Sequence, residues 1–255
     1  MKDLPVNLKD MFCRALKANV ELGVGEIIVA NHTQEENETI SSMSSSRKIK
    51  EEAAVSDLFE SPEPVLRTSS FDSPDSHRAS ICECRECPLW QGRNKFVYGA
   101  GNPEADLMFI GEAPGADEDR LGEPFVGRAG QLLDRILAAI DLSRKEVYIA
   151  NILKCRPPGN RDPRPEEMEQ CFPHLREQVA IIRPRLICAL GRIAAQALLK
   201  TTTPLGRLRE QWHQYEGVTM IVTYHPAALL RFQAYKKDTW ADMQMLKTRY
   251  DELTG

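Results

Sequence analysis

Four cysteines have the spacing of metal ligands. Cys84 and Cys87 are separated by two residues, as in a metal-binding knuckle, and Cys155 and Cys171 flank a segment rich in Pro and Arg. Four thiolates from two such loops would form a tetrahedral cage for an iron–sulfur cluster or for Zn²⁺. Spacing alone does not separate these metals, and the neighbouring Cys82 could replace Cys84 as a ligand.

A second group of residues stands at the ends of predicted strands. Four apolar runs each end next to a glycine or a polar side chain. The residues at these four ends are Gly111 with Glu112, Asn151, Gly191 and His225. Ligands of open α/β sheets bind beyond the carboxyl ends of the strands. We therefore expect Glu112, Asn151 and His225 to surround one cleft.

The elements that position these residues alternate between strand and helix. Buried strand-like runs occupy residues 107–110, 147–150, 186–190 and 220–223, and helical patterns occupy residues 165–182, 191–199 and about 239–253. A further helix is indicated by an apolar face formed by Leu132, Leu133, Ile136, Leu137 and Ile140. The alternation predicts an α/β fold with a mostly parallel four-stranded sheet and helices on both faces.

Composition divides the chain into an N-terminal extension and a folded body. Residues 1–25 carry apolar positions at helical spacing, which predicts a short amphipathic helix. Residues 26–80 are rich in Ser, Glu, Asn, Lys and Pro. Such a segment buries too little apolar surface to offset its chain entropy, so we predict a disordered linker. Residues 81–255 form the predicted domain with the metal centre.

Charge and cysteine usage restrict the partners and the compartment. The net charge of −4 divides into about −6 for residues 1–75 and about +2 for the remainder, which fits nucleic-acid binding through a local basic patch. No apolar run approaches the ~18 residues that cross a bilayer, and the N-terminus lacks a secretory signal. Seven cysteines, an odd number, argue against a purely disulfide framework. We expect a cytoplasmic protein that contacts no membrane.

Three motifs resemble those of the family-4 uracil-DNA glycosylases, the iron–sulfur enzymes of bacteria and archaea. Residues 111–115 (GEAPG) with residues 124–127 (PFVG) resemble the first motif, Asn151 within residues 149–155 (IANILKC) the second, and residues 225–231 (HPAALLR) the third. The four cysteines match the ligands of that family's [4Fe–4S] cluster. The resemblance covers about residues 81–250 and implies the uracil-DNA glycosylase-like fold, with residues 81–255 as the catalytic domain.

The resemblance implies a pocket for an extruded uracil. Phe125 would stack on the base, Asn151 would read its edge, and His225 would donate to uracil O2, where negative charge accumulates as the bond breaks. The residues expected around the uracil are Gly111, Glu112, Ala113, Phe125, Asn151 and His225. The group that activates water is less evident, because Ala113 stands where the related family-1 enzymes have an Asp. Our hypothesis is that Glu118, or in second place Glu112, orients or deprotonates the water, although stabilisation of the leaving anion could supply most of the rate.

The same resemblance implies a DNA-binding surface. Leu229 or Leu230, on a loop after His225, would enter the space left by the flipped nucleotide, with Arg231 on a phosphate. Arg156 and Arg161 of the cluster loop would bind the DNA backbone. Lys154 and Arg164 could assist them.

We therefore expect a monomeric, monofunctional glycosylase that releases uracil from DNA, leaves an abasic site and starts base-excision repair. A structural [4Fe–4S] cluster is the implied cofactor, with zinc as the alternative. A related branch that links to the abasic sugar through a histidine is disfavoured, because residues 156–165 contain no His. The alternatives from other classes are a non-catalytic, metal-stapled nucleic-acid-binding module of replication or repair and a zinc-stabilised interaction domain. The sequence does not indicate a partner of the N-terminal segment.

Overall fold

The computed structural model describes residues 68–255. The helix predicted for residues 1–25 and most of the predicted linker lie outside the described residues. The linker boundary at residue 80 is wrong, because helix α1 occupies Pro74–Ile81. The Ser73 side chain accepts a hydrogen bond from Ser76 N (3.2 Å) at its start, and His77 is buried against the hydroxyl of Tyr98 (Nδ1 to O, 2.9 Å). The polar residues of this segment form a helix cap and the exposed face of the helix. Composition alone does not distinguish such residues from a disordered segment.

A six-stranded sheet forms the centre of the described region, in the order β1-β3-β2-β4-β6-β5. Its strands are β1 (Ala100–Gly101), β2 (Leu107–Gly111), β3 (Tyr148–Asn151), β4 (Leu186–Leu190), β5 (His213–Tyr215) and β6 (Val218–Thr223). The four inner strands are parallel and correspond to the four predicted strands. Their nearly continuous apolar runs are typical of strands that are covered on both faces.

The predicted count of four strands is corrected by two antiparallel strands at the edges of the sheet. Strand β1 has only two residues, too few for a periodic signal. Strand β5 joins β6 through Glu216 and Gly217, both at positive φ (48° and 81°), the backbone of a tight hairpin turn. Because β5 is short and half-exposed, it lacks the apolar run that marks the inner strands.

Helices cover both faces of the sheet, as predicted. They are α2 (Ala116–Leu121), α3 (Arg128–Ala139), α4 (Pro165–Ile182), α5 (Gly191–Leu199), α6 (Leu205–Leu208), α7 (Pro226–Arg231) and α8 (Tyr235–Thr254). Apolar side chains of α4 and α5 pack with Ile110 and Ala150 on one face, and those of α3 and α8 pack with Phe109 and Ile149 on the other. Among residues 68–255, no helix is long and apolar enough to cross a membrane.

Candidate active site and metal centre

The carboxyl ends of the inner strands meet at one cavity, as the sequence predicts. Gly111 at the end of β2 is paired with Asn151 at the end of β3, and β4 and β6 end side by side with Leu190 opposite Thr223. The chain moves from β2 to β3 on one side and then to β4 on the other, so this edge contains a topological switch point, where such sheets bind ligands. A cavity of about 490 Å³ opens there and is lined by Glu112, Ala113, Phe125, Asn151, His225 and Arg231, among others.

Phe125 reaches this cavity from a loop held in an unusual backbone conformation. Its φ of 55° lies in the left-handed region, which costs a bulky residue about 1–3 kcal/mol and persists only where the surroundings enforce it. The enforcing group is Glu118, whose carboxylate accepts hydrogen bonds from the backbone N–H groups of Val126 and Gly127 (both 2.9 Å) and of Gly115 (3.1 Å). Glu118, our first candidate for the water-activating group, is thus buried and engaged by three backbone donors.

Arg144 supports the same loop from its other side and was missed by sequence reasoning. Its guanidinium donates to the carbonyl oxygen of Pro124 (3.1 Å) and to that of Phe125, while Nε contacts the carboxylate of Asp134 at 2.5 Å. Arg144 thus binds carbonyl groups of the loop, and Glu118 binds backbone N–H groups of the same loop. No motif signals this role, because Arg144 lies about twenty residues along the chain from the loop that it supports.

Asn151 carries a buried polar atom without a partner. The residue is 2% exposed, and within the described part of the chain its side-chain Oδ1 has no hydrogen-bond donor. Leaving such an atom unsatisfied costs about 1–3 kcal/mol, a cost that a bound ligand with an N–H group would remove. Gly111 makes room for this arrangement, because a Cβ there would lie 2.4 Å from Oδ1 of Asn151 and 2.6 Å from Cζ of Phe125.

Lys154 holds the backbone of Asn151 and does not face solvent. Its side chain is fully buried, and Nζ donates to the carbonyl oxygen of Asn151 (2.6 Å) and to Oε1 of Gln178 (2.5 Å). Burial lowers the pKa of Lys154 to about 8. The expectation that Lys154 assists in binding the DNA backbone is therefore wrong, since its ammonium group cannot reach a phosphate.

His225 is held as a neutral donor aimed at the cavity. Its Nδ1 accepts a hydrogen bond from the backbone N–H of Ala227 (3.1 Å), so the proton of the neutral ring resides on Nε2. Burial, followed by the positive charge of Arg231, lowers the pKa of His225 to about 4. The imidazole is therefore uncharged at neutral pH, with its centroid 5.4 Å from that of Phe125.

Glu112 is the carboxylate that remains available in the cavity. Burial and the nearby charge of Asp162 raise its pKa to about 7, against the opposing effect of Arg192. Within residues 68–255, no hydrogen bond or ion pair engages its side chain. Of the two candidate carboxylates, Glu118 is therefore occupied by backbone donors, whereas Glu112 has no such partner among residues 68–255.

The segment after His225 is a helix, α7, and not the expected loop. Leu229 is 0% exposed and packs in the core, so it does not project towards DNA. Leu230 is half-buried against the same core, and Arg231 is exposed at the cavity. Sequence reasoning missed Phe232, which follows α7, lines the cavity and is 56% exposed.

Arg156 and Arg161 lie in a second cavity of about 630 Å³, which shares Pro157 and Arg161 with the first. Arg161 donates to both carboxylate oxygens of Glu167 (2.9 and 2.5 Å), so much of its charge is already compensated. Nε of Arg156 donates to Oδ1 of Asn160 (2.7 Å). Of the two, Arg156 keeps the larger share of its donors for a phosphate.

The four predicted ligand cysteines face a common region, but not from two loops. Cys171 is part of helix α4, while Cys84, Cys87 and Cys155 lie in connecting segments. Burial raises the pKa of Cys171 to about 12 against the opposing effect of Lys154, and Cys155 and Cys87 add smaller raising effects. Burial also raises the pKa of Cys155, with Arg93 opposing the change and Cys87 and Cys84 adding to it. Cys87 and Cys155 are thus within electrostatic reach of Cys171, and Cys84 and Cys87 of Cys155, while Cys82 is absent from these interactions.

Nitrogen atoms of Arg93 and His174 lie next to two of the four thiols. Among residues 68–255, no three His, Cys, Asp or Glu side chains are close enough to hold one metal ion. Nη1 of Arg93 donates to Sγ of Cys155 (3.4 Å), and Nε2 of His174 lies 3.4 Å from Sγ of Cys84. The N–H of Arg93 suits the sulfur of an anionic iron–sulfur cluster.

Comparison with known proteins agrees with this fold. The profile of the Uracil DNA glycosylase superfamily matches residues 98–244. The chain is 43% identical over 184 residues to the type-4 uracil-DNA glycosylase of Archaeoglobus fulgidus, covering 69% of the chain and 92% of that relative. It is 43% identical over 176 residues to the type-4 enzyme of Pyrobaculum aerophilum (65% and 88% covered) and 33% identical over 174 residues to the type-5 enzyme of that organism (60% and 75% covered). The chain therefore belongs to the uracil DNA glycosylase superfamily, within its type-4 group.

Proposed function

We infer that this protein is a uracil-DNA glycosylase, which hydrolyses the N-glycosidic bond of deoxyuridine in DNA and leaves an abasic site for base-excision repair. The observation that carries the residue-level proposal is the unpartnered, buried Oδ1 of Asn151 in a cavity shared with Phe125 and the neutral ring of His225. A base reaches such a cavity only after extrusion from the double helix.

Asn151 is the proposed reader of the extruded base. Its Oδ1 lacks a donor in the described part of the chain, and the N3–H of uracil supplies one, while the amide NH₂ donates to O4. Cytosine presents an acceptor at N3 and a donor at its exocyclic amine, which places like groups against each other. Lys154 donates hydrogen bonds to the backbone carbonyl of Asn151 and to Gln178. These bonds fix the position of the Asn151 amide relative to the base.

Phe125 and His225 are the proposed stacking and leaving-group residues. The ring of Phe125, held by Glu118 and Arg144, offers a flat apolar face to the pyrimidine. Nε2–H of His225 donates to uracil O2, where negative charge grows as the bond to the sugar breaks. A neutral imidazole with a fixed tautomer gives this hydrogen bond without reorganisation during the reaction.

Glu112 is the proposed water-orienting carboxylate. Its ionised form accepts a proton or a hydrogen bond from the water that attacks the sugar, whose transition state resembles an oxocarbenium ion. The pKa of about 7 places this carboxyl close to the operating pH of a general base. Its side chain stands in the cavity without a hydrogen bond or ion pair from residues 68–255.

A [4Fe–4S] cluster is the proposed cofactor, and Cys84, Cys87, Cys155 and Cys171 would hold it. When bound, it supplies a rigid crosslink between connecting segments and helix α4, with no redox step in the reaction. The mutual electrostatic influence of these thiols and the nearby nitrogen atoms of Arg93 and His174 support this set of ligands. Cys82 is not proposed as a ligand, because its Sγ contacts the carbonyl oxygen of Ala79.

Uracil release from a labelled oligonucleotide tests the function. The full chain is incubated with strands that contain one uracil, cytosine or thymine, and abasic sites are then cleaved with alkali. We expect cleavage only at uracil, and a loss of at least about 100-fold in Asn151→Ala and in His225→Ala. Binding of every strand without cleavage would instead support the non-catalytic nucleic-acid-binding module.

A further inference from the structure

An exposed aromatic side chain stands at the mouth of the active-site cavity. Within residues 68–255, the large apolar side chains with marked exposure are Leu121 (45%), Trp212 (39%) and Phe232 (56%). Phe232 is the one of these three that lines the active-site cavity. An exposed aromatic ring at the rim of a cavity is available to contact a molecule that binds there.

The ring of Phe232 lies next to a pair of stacked tyrosine rings, which a guanidinium group covers in turn. Its ring lies 5.6 Å from that of Tyr235, which stacks on Tyr224 at 4.1 Å with 4° between the planes. The guanidinium of Arg209 covers the far face of this pair, 4.8 Å from the centroid of Tyr224. Arg209 is anchored by two hydrogen bonds to the carboxylate of Asp242 (2.8 and 3.0 Å), which is 0% exposed.

The backbone around Phe232 is also fixed. Its N–H donates to the carbonyl oxygen of Ala228 (2.8 Å) at the end of α7, and its own carbonyl accepts from the N–H of Tyr235 (3.2 Å) at the start of α8. The ring therefore projects from the junction of two helices that pack together. It loses little conformational freedom when a partner binds.

The surface near this ring is basic. Arg231, Lys236, Lys237 and Arg135 take part in no ion pair within the described part of the chain. The positive charge of Arg135 adds to burial in lowering the pKa of Lys236, so these two cations are close together. The nearby carboxylate of Asp238 is directed to Arg209 (3.5 Å). This charge suits the phosphates of a nucleic acid and disfavours a cationic partner.

We propose that Phe232, and not a leucine of the third motif, enters the base stack of double-stranded DNA where the uridine has been extruded. This inference rests on the proposed function, since only base extrusion creates the gap that the ring would fill. The side chain of Leu229 would have to leave the core, and Leu230 is half-buried against the same core, whereas Phe232 is already 56% exposed. A planar ring stacks on the bases that flank the gap and so delays the return of the flipped nucleotide.

The test compares single- and double-stranded substrates under single-turnover conditions. In single strands there is no stack to refill, so Phe232→Ala should release uracil within about twofold of the wild-type rate, whereas on duplex DNA its rate should fall on the order of 10- to 100-fold. Phe232→Trp should keep most of the duplex rate. Trp212→Ala is the matched control, because it removes an exposed aromatic ring outside the active-site cavity, and it should match the wild type on both substrates.

A fluorescent base makes the result independent of cleavage. With 2-aminopurine next to the uracil in a duplex, binding of the wild type should unstack the probe and increase its fluorescence, and Phe232→Ala should give a much smaller increase. Equal losses on both substrates, or an unchanged duplex rate and fluorescence in Phe232→Ala, would overturn the proposal. A wild-type protein that releases no uracil from either substrate would refute the proposed function instead, and the fluorescence comparison would still decide the role of Phe232.

Discussion

Replacement of Glu112 by Gln tests which carboxylate serves the reaction. The pKa of Glu112 is raised from 4.5 to about 7 by burial and by Asp162. The ionised fraction of such a group is about 9% at pH 6 and about 91% at pH 8, so a rate that needs the carboxylate should rise roughly tenfold across this interval. His225, with a pKa of about 4, remains neutral throughout and adds nothing to the change.

Single-turnover uracil release between pH 5 and pH 9 is the measurement. Glu112→Gln should lose the rise near pH 7 and react about 100-fold or more slowly than the wild type at pH 8, the effect expected when a general base is removed. Asp117→Asn is the matched control, because Asp117 lies on the same connection, is about half exposed and pairs with Arg120. A wild-type rate that is the same at pH 6 and pH 8, or a rise that persists in Glu112→Gln, would refute the reasoning.

The same substitution should stabilise the fold at high pH. An acid whose folded pKa is raised binds its proton more tightly in the folded state, so stability falls as pH increases from about 4.5 to about 7 and stays lower above it. An increase in pKa from 4.5 to about 7 corresponds to about 3 kcal/mol. Glu112→Gln should therefore unfold at higher urea than the wild type at pH 8 and at nearly the same urea at pH 4. An equal midpoint at pH 8 would mean that the carboxyl is not destabilised by burial.

Three further changes test the supports of the site. Gly111→Ala should slow uracil release about 100-fold with unchanged circular dichroism, because its Cβ displaces Asn151 and Phe125. Gly206→Ala is the control, because a Cβ there meets nothing within 4 Å. A normal rate in Gly111→Ala would contradict this explanation. Arg209→Met should lower the free energy of unfolding in urea by about 3–5 kcal/mol, since it leaves the charge of Asp242 buried and unpaired. A decrease below about 1 kcal/mol would show that the pair is dispensable. Cys171→Ser should lose bound iron and visible absorbance while Cys82→Ser keeps both; equal iron in the two variants would rule out the proposed ligand set.

Much of the fold could be predicted from the sequence because its signals are local. The four inner strands are unbroken apolar runs buried on both faces, and helix α4 has the bounds that its pattern predicts. The placement of Asn151 and His225 at strand ends followed from the rule that parallel strands present their carboxyl ends to a ligand. The edge strands and α1 could not be predicted in this way, because β1 and β5 are too short for a period and α1 is stabilised by contacts with distant residues such as Tyr98.

The roles of individual side chains likewise divide into those that the sequence predicted and those that only the tertiary structure decided. The sequence motifs that resemble the family-4 glycosylases predicted one site with an amide, an aromatic ring, an imidazole and four thiols. Only the tertiary structure decided that Glu118 is bound by backbone N–H groups and Glu112 is not, that Lys154 and Leu229 are buried, and that Phe232 is exposed at the cavity. The physical reason is that burial, pKa and hydrogen-bond satisfaction depend on neighbours from other elements of the chain, which no local pattern records.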